Sequence, residues 1–328
     1  MLEAGLETTV QDVGRFGYLA PGIPPAGAFD SYSLRVGNLL AGNDPGGPYI
    51  IGGSGDAGLE TLLMGLKLKV LHDTVIVVTG ADLNCTLNEK PLPMWRTIRV
   101  QRDDIITFKA PRAGVRAYIC AAGGIDVPVY LGSRSTYVRG KIGGFNGRKL
   151  QKGDVLKTGA PSKPLAELEE RVLRAELIPR FSNRSRIRVI LGPHDNLFTA
   201  KSVDSFLVDD WKVSAKADRM GVRFLGPKLE YREHPRILPG IDPSNIPELT
   251  TPFGAIQFAS VELIALNVEF PSLGGFTIIA TIISPDVSLV GQMKSGDIAN
   301  FEAVEPQDAI YELEKVENRL TKKNVLSK

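Results

Sequence analysis

Val75-Ile76-Val77-Val78-Thr79, followed at once by Gly80-Ala81-Asp82, decides the class of this fold. All five leading residues are β-branched, stiff at χ1 and suited to a pleated sheet, and the glycine punctuates the run as a strand end. Working outward, the same grammar recurs in Ile105-Ile106-Thr107-Phe108, in Val115-Arg116-Ala117-Tyr118-Ile119-Cys120 and in Ile187-Arg188-Val189-Ile190-Leu191. Leu263-Ile264-Ala265-Leu266 and the long run Phe276 to Ile283 continue it. A second pattern links the strands. Arg102-Asp103-Asp104-Ile105-Ile106, Lys152-Gly153-Asp154-Val155-Leu156 and Ser295-Gly296-Asp297-Ile298-Ala299 each set a polar turn ending in aspartate before an apolar pair. That is the tight turn into a strand expected of small β-barrels, and it occurs in both halves of the chain. Helices are few. Asp30 is placed to cap one running through Leu34 to Leu40 and stopped by Gly42. Pro164 to Glu176 reads as a helix or a charged linker, and a last helix from Pro306 sets Ile310, Leu313, Val316 and Leu320 on one face, to pack on its own domain. The βα alternation of a doubly wound sheet is missing. The class is mainly β with few short helices, in two domains, 1–165 and 166–328, the second ending in the terminal helix.

At 328 residues, with 43% hydrophobic and 23% charged residues, the chain has material for two cores of ordinary size. A net charge of +2 and no long basic run exclude a phosphate-backbone footprint, so no nucleic acid is expected as partner. No apolar run reaches membrane-spanning length, and Met1-Leu2-Glu3-Ala4-Gly5 lacks the regions of a signal peptide, so the expectation is a cytoplasmic protein without a membrane partner. Cys85 and Cys120 read as reduced, buried thiols, and no Cys/His cluster of metal-ligand spacing is present. His72, His194 and His234 stand in no nucleophile or metal context, and neither a P-loop nor a dinucleotide fingerprint appears in its required setting; Gly52-Gly53-Ser54-Gly55 lacks the Lys-Ser/Thr pair. Amides, hydroxyls, arginines and carboxylates are what remains for chemistry.

These groups concentrate in glycine-bearing loops. Gly123-Gly124-Ile125-Asp126-Val127-Pro128, Leu131-Gly132-Ser133-Arg134-Ser135-Thr136 and Gly143-Gly144-Phe145-Asn146-Gly147-Arg148 follow an apolar strand in quick succession. Glycine permits close backbone approach, and arginine can grip a carboxylate or phosphate bidentately. Read alone, these loops are equally tight turns bearing surface arginines. Thr8-Thr9-Val10-Gln11-Asp12-Val13-Gly14-Arg15 adds an amide and an arginine beside a turn. In Pro24-Pro25-Ala26-Gly27-Ala28-Phe29-Asp30 the aspartate reads as a helix cap rather than a catalyst. Asp82 at its strand end either bonds turn amides or contacts substrate, and in Asp218-Arg219-Met220-Gly221 a structural Asp-Arg pair competes with a binding role.

In this order the clusters resemble the family of the biotin-dependent carboxyltransferase domain of urea amidolyase. That family includes the C subunit of 5-oxoprolinase and an antagonist of a sporulation-kinase inhibitor, and is often labelled allophanate hydrolase subunit 2. The resemblance runs from Leu6 to Phe301 and includes Gly254-Ala255-Ile256-Gln257. It implies two cyclophilin-like β-barrel domains. Two stretches depart. Family members usually carry Asp-x-Gln-Thr-Thr before a Gly-Gly-aromatic turn, where this chain has Glu269-Phe270-Pro271-Ser272-Leu273 before Gly274-Gly275-Phe276; an amide and two hydroxyls are lost and a rigid proline is gained. The stretch from Gly46 to Asp56 reads as an insertion.

The resemblance implies three activities: a subunit of ATP-dependent 5-oxoprolinase, which opens the lactam of pyroglutamate to glutamate; carboxyl transfer from carboxybiotin to urea or a related amide; or non-enzymatic regulation by binding a histidine-kinase inhibitor. The chain lacks a Met-Lys-Met attachment site and a biotin carboxylase region, so urea carboxylation by this chain alone is excluded. A free-standing chain of this size matches the first: an amide (lactam) hydrolase subunit that works only in a complex. Its partners are then a protein like the B subunit of 5-oxoprolinase and a lactam-utilisation protein like the A subunit. ATP and Mg²⁺ are the cofactors of that complex, and biotin is a substrate only in the carboxyltransferase reading. Lactam and ureido ring are both small cyclic amides. On that reading Arg134 and Arg148 contact the anion or carbonyl, Asp82 orients the ring N–H and Gln257 adds an amide contact. Gln11, Arg15, Ser133, Ser135, Gly143, Gly144, Asn146 and Arg219 complete the substrate-binding set.

Overall fold

A computed structural model describes residues 1–47, 53–233, 242–321 and 323. The chain divides into two compact units: one formed by Met1–Tyr18, Pro25–Phe181 and the residues from Val316 onward, the other by Leu19–Pro24 and Ser182–Lys315. The first unit extends past residue 165 because the Pro164–Glu176 stretch is anchored there. Only Leu165–Leu168 of it is α-helical, with a 3₁₀ turn at Ala175–Leu177. Leu168 is buried beside Val75 and Ala122, and Leu173 beside Leu34 and Leu39, so apolar burial outweighs the charged composition that marks the stretch as a linker.

In the first unit the strands are β1 (Glu3–Ala4), β2 (Glu7–Gln11), β3 (Gly58–Leu62), β4 (Leu66–Lys69), β5 (Thr74–Asp82), β6 (Thr86–Leu87), β7 (Lys90–Pro91), β8 (Thr97–Val100), β9 (Ile105–Thr107), β10 (Ala113–Ala121), β11 (Ile125–Asp126) and β12 (Lys157–Thr158). They form one five-stranded sheet in the order β1-β4-β9-β6-β7, a second in the order β2-β3-β10-β5-β8, and the β11-β12 pair. One core joins the two sheets: Leu66 and Ile106 from the first meet Val10, Leu59, Ile76, Val78 and Ile119 from the second. The period of two explains the uninterrupted β-branched run. Ile76 and Val78 face this core, whereas Val77 faces helix α1 (Ser31–Ala41) and Val75 faces Leu168, so β5 is buried on both sides. Asp30 caps α1, accepting from Ser33 N at 3.0 Å and Ser33 Oγ at 2.6 Å, and Gly42 ends it at φ 79°. The cap reading of Asp30 holds.

The second unit has strands β13 (Arg184–Leu191), β14 (Trp211–Val213), β15 (Gly221–Leu225), β16 (Asn245–Thr250), β17 (Ala255–Ala259), β18 (Glu262–Leu266), β19 (Leu273–Ile282) and β20 (Ile298–Ala303). Their order is β13-β20-β14-β15-β18-β17-β19, and β13 pairs again with β19, which closes a seven-strand barrel; β16 adds to β19 outside the closure. The mainly β reading is borne out, with full barrel closure in this unit and two facing sheets around one core in the first. Phe206, Phe224 and Phe301 interlock in the second unit, with Phe206 and Phe301 stacked at 4.7 Å. Of the terminal helix (Pro306–Arg319), Ile310 is exposed, whereas Val316 and Leu320 pack with the α1 cluster of the first unit. No helix among the described residues is long and apolar enough to cross a membrane.

The recurring aspartate turn is one structure used three times. Asp104, Asp154 and Asp297 each accept from the backbone N–H three residues earlier (Gln101, Gln151 and Lys294) at 2.7, 2.7 and 3.0 Å. Each also donates its own N–H to that residue's carbonyl, and the residue before it (Asp103, Gly153, Gly296) has positive φ. The carboxylate thus ties the turn that feeds the next segment.

Candidate functional site

The end of β2 and the loops at 130–136 and 143–147 build a dense polar site in the first unit. Asp12 is its hub. Its carboxylate accepts from Gly14 N (2.9 Å), Ser133 Oγ (2.7 Å), Ser135 Oγ and Arg134 N (2.5 Å), and its own N–H donates to Ser135 Oγ (2.9 Å). Complete burial pushes the Asp12 carboxyl pKa up, against the lowering effect of these hydrogen bonds. Asp12 is not among the residues that sequence alone nominates for the site; the available signal is the Asp-x-Gly turn just before Arg15, where a carboxylate bonds the N–H two residues on.

Arg15 is 1% exposed. Its Nε donates to Tyr130 O at 3.0 Å and one terminal nitrogen donates to Ser135 O at 2.8 Å. The other terminal nitrogen is buried without a partner. Burial lowers the Arg15 pKa, and the Asp12 charge opposes that shift. Gln11 is likewise buried. Its Nε2 donates to Thr9 Oγ1 (2.9 Å) and Thr136 O (3.2 Å), which fixes the amide's orientation and leaves Oε1 buried with no partner. A guanidinium donor and an amide acceptor are therefore both unsatisfied, anchored on the adjacent residues Ser135 and Thr136. Buried polar atoms are nearly always paired, and exceptions mark places where a ligand or water completes the bonding.

Gly143 and Gly144 make this packing possible. A Cβ on Gly143, at φ 67°, would lie 2.0 Å from Ser135 O and 2.5 Å from an Arg15 terminal nitrogen. A Cβ on Gly144 would lie 1.8 Å from Thr136 Oγ1. Arg134, half-buried, donates its backbone N–H to Asp12 and accepts from Gly144 N at 3.0 Å; its guanidinium has no hydrogen-bond or ion-pair partner among the described residues. Ser133 and Ser135 both spend their hydroxyls on Asp12. Asn146 is exposed at the turn tip with φ 58°.

Two residues assigned to catalysis from the sequence lie elsewhere. Asp82 closes a turn: its Oδ1 accepts from Asn84 N at 2.9 Å and its Oδ2 lies 3.8 Å from Arg112. Strand register sets it apart from Gln11. Gln11 pairs with Gly58, at the level of Val77, so Asp82 is about 16 Å further along β5 at 3.3 Å per residue and three strands away. Arg148 forms a bidentate pair with Asp154 at 2.8 and 2.9 Å and lies over the Phe145 ring. Both of its terminal nitrogens serve that turn, and the pair lowers the Asp154 carboxyl pKa.

Beside the site, on the α1 face of the same sheet, lies a buried network that sequence reasoning missed. Glu60 accepts from Phe29 N (2.9 Å) and Tyr118 OH (2.7 Å), and Tyr118 OH accepts from Asp30 N (2.8 Å). Burial raises the Tyr118 pKa well above its usual value, helped by the charge of Glu60. A glutamate inside the apolar strand Gly58–Leu62 was the available signal. Cys85 and Cys120 are free and buried, with the Cys85 thiol pushed up to about 12 by burial.

Arg219 and Gln257 belong to the second unit. Arg219 Nε donates to Glu269 at 2.5 Å, with both side chains buried, whereas Asp218 accepts from Met220 N and Gly221 N and so organises the turn. Gln257 is 4% exposed, and its Nε2, without a partner, sits 2.6 Å from where a Gly274 Cβ would be. The altered loop is structurally engaged: Glu269 holds Arg219, and the Thr251 hydroxyl and N–H donate to Pro271 O and Ser272 O. His234 and residues 48–52, within the insertion-like stretch and including Gly52, lie outside the described residues; the flanks of that stretch are tied by Gly47 N to Gly53 O at 3.1 Å and Asp56 N to Asp44 O at 2.9 Å.

Comparison with known proteins places this geometry. The carboxyltransferase domain family, subdomains A and B, matches residues 21–303. Urea amidolyase of Lachancea kluyveri is 38% identical over 93% of this chain, which spans only 17% of that protein. The C subunit of 5-oxoprolinase from Haemophilus influenzae is 32% identical over 94% of this chain and 92% of its own length. The crystal structure of K. lactis urea amidolyase superposes with a TM-score of 0.89 at 35% identity, covering all of this chain and 20% of that one. The chain belongs to the carboxyltransferase domain family, subdomains A and B.

Proposed function

We propose that this chain is the amide-binding subunit of a multi-component 5-oxoprolinase, and that the buried polar site around Gln11 and Arg15 holds the lactam. The observation that carries the proposal is the pair of buried, unpartnered groups, one donor on Arg15 and one acceptor on Gln11. A lactam presents the complementary pair, a carbonyl and an N–H on one edge. Arg15 donates to the ring carbonyl, Gln11 Oε1 accepts from the ring N–H, and the free Arg134 guanidinium takes the substrate carboxylate. Negative charge developing on the carbonyl oxygen is met by a guanidinium already oriented by Ser135 O and Tyr130 O, so little reorganisation opposes reaction. The 5-oxoprolinase relatives support this choice, since this chain has a counterpart for 92% of one such protein's length.

Mg²⁺ does not fit this site. Its donors are an amide, hydroxyls and guanidinia, whereas Mg²⁺ requires a set of oxygen ligands with carboxylates free to bind it, and the Asp12 oxygens are already occupied by four donors. No group of three or more His, Cys, Asp or Glu side chains able to hold a metal gathers among the described residues. The site's own groups therefore bind and orient the amide, and no step here runs through a metal.

A second reading is carboxyl transfer from carboxybiotin to urea or a related amide, favoured by the greater identity to urea amidolyase and the TM-score of 0.89. The ureido ring offers the same carbonyl and N–H. The two separate in one experiment: the chain is co-purified with its partner subunits and assayed for glutamate formed from 5-oxoproline and ATP, and for carboxyl transfer from free carboxybiotin to urea. Glutamate formation, reduced more than tenfold by Arg134→Ala without a change in melting temperature, is expected. A complete complex inert towards 5-oxoproline but active in carboxyl transfer reverses the order.

A further inference from the structure

Arg15 carries a terminal donor that no group among the described residues uses, yet its side chain is 1% exposed. A ligand can reach that donor only if a neighbour moves aside. Tyr130 O and Ser135 O accept from the guanidinium and Gly143 packs beside it, all main-chain groups that cannot swing away. The ring of Tyr130 is different. It lies over the guanidinium, with its centroid 5.9 Å from Cζ. The main chain of Tyr130 is pinned. Its N–H and carbonyl bond Ser133 at 2.8 and 3.2 Å across a tight turn in which Leu131 and Gly132 both have positive φ, and the same carbonyl accepts from Arg15. Ser133 is fixed in turn to Asp12 through its hydroxyl. The Tyr130 side chain is held by none of this: the residue is 46% exposed, and all its hydrogen bonds among the described residues are made by the main chain. Arg116 shows the contrast, lying 4.1 Å over the ring of Phe29, which is fully buried and fixed. An exposed ring held only by an offset cation–π contact changes rotamer freely.

We infer that the Tyr130 ring is a side-chain gate on the buried polar site. Over the guanidinium it screens Arg15; rotation about χ1, with the main chain unmoved, uncovers the free donor for a ligand carbonyl. The identity of that ligand as an amide rests on the function proposed above, whereas the screening of Arg15 does not. Opening costs the site nothing else, because none of the bonds that hold Asp12, Ser133 and Ser135 together involves the Tyr130 side chain. The closed ring holds back access to Arg15 by the factor that its contact with the guanidinium favours the closed rotamer.

Phenylglyoxal, an arginine-selective dicarbonyl, is the probe, with labelling of the full chain followed peptide by peptide by mass spectrometry and Arg134 as the internal reference. Tyr130→Ala is expected to label Arg15 about five- to tenfold faster than wild type, with Arg134 unchanged. Tyr130→Phe keeps the ring and should label at the wild-type rate. Both variants should melt with the wild type, since no hydrogen bond is lost. Tyr18 is the other tyrosine close enough to act on the Arg15 charge, and Tyr18→Ala should leave the rate unchanged. Equal Arg15 rates in wild type and Tyr130→Ala overturn the inference, as does an equal acceleration in Tyr130→Phe or Tyr18→Ala. 5-Oxoproline separates the gate from the ligand. Faster labelling in Tyr130→Ala that 5-oxoproline suppresses supports both; faster labelling that it leaves untouched upholds the gate and overturns the lactam assignment alone.

Discussion

Replacing Gly143 with alanine tests whether the arginine pocket depends on backbone contact. Two costs add. A φ of 67° is left-handed, which charges a β-carbon about 1–2 kcal/mol. The new Cβ would also lie 2.0 Å from Ser135 O and 2.5 Å from Arg15, so the 2.8 Å bond between those two must break or shift. A hydrogen bond to a charged group contributes about 1.5–3 kcal/mol, giving a total of about 2.5–5 kcal/mol. Gly132 supplies the control, at φ 78° with nothing within 4 Å of its Cβ position, so Gly132→Ala bears the backbone cost alone. Urea unfolding can be followed by the fluorescence of Trp95, in the first unit, in a Trp211→Phe background that silences the second. Gly143→Ala should exceed Gly132→Ala by about 1.5–3 kcal/mol and also weaken substrate binding. Equal losses in the two variants would refute the reasoning, because the contact between Ser135 and Arg15 would then be dispensable.

Other outcomes follow from the same interactions. Asp12→Ala leaves four buried donors without an acceptor and should destabilise the first unit by about 3–5 kcal/mol in the same assay, whereas Asp82→Ala should cost under about 1 kcal/mol; comparable values would deny Asp12 its place as hub. Glu269→Ala should cost about 3–5 kcal/mol in the second unit, and the joint replacement Arg219→Met/Glu269→Leu less than that, since neither buried charge of the pair then remains. Asp154 has a folded-state pKa below its ordinary 3.8, chiefly through Arg148, so its contribution is present above 3.8 and lost as pH falls through the lowered value. The stability gap between wild type and Asp154→Asn should therefore be full at about pH 6 and shrink towards about pH 3; a gap independent of pH would contradict the pairing.

Much of this molecule is legible along the chain because it rests on local rules. The strand at Val75–Thr79, the Asp30 cap, the Gly42 stop and the three aspartate turns each involve residues within a few positions of one another, so residue type and spacing suffice. Arg15, Gln11 and the Gly143-Gly144 pair are also visible there, since an arginine or amide beside glycine turns has a recognisable composition. Their order along the chain carried the family. What composition could not supply was partnership. Arg134 and Arg148 look alike as arginines in glycine loops. Arg134 gives its backbone N–H to Asp12 and its guanidinium meets no partner among the described residues, whereas Arg148 is bound because Asp154, six residues on, matches its fork. Asp82 and Asp12 both precede turns, yet only Asp12 meets Ser133 and Ser135, more than a hundred residues away, and is buried with them. Burial and pairing between distant segments depend on how the sheets close around the core, and only the tertiary structure decides that. Sheet formation, caps and turns depend on the short-range physics of the backbone, and those the order of residues already determined.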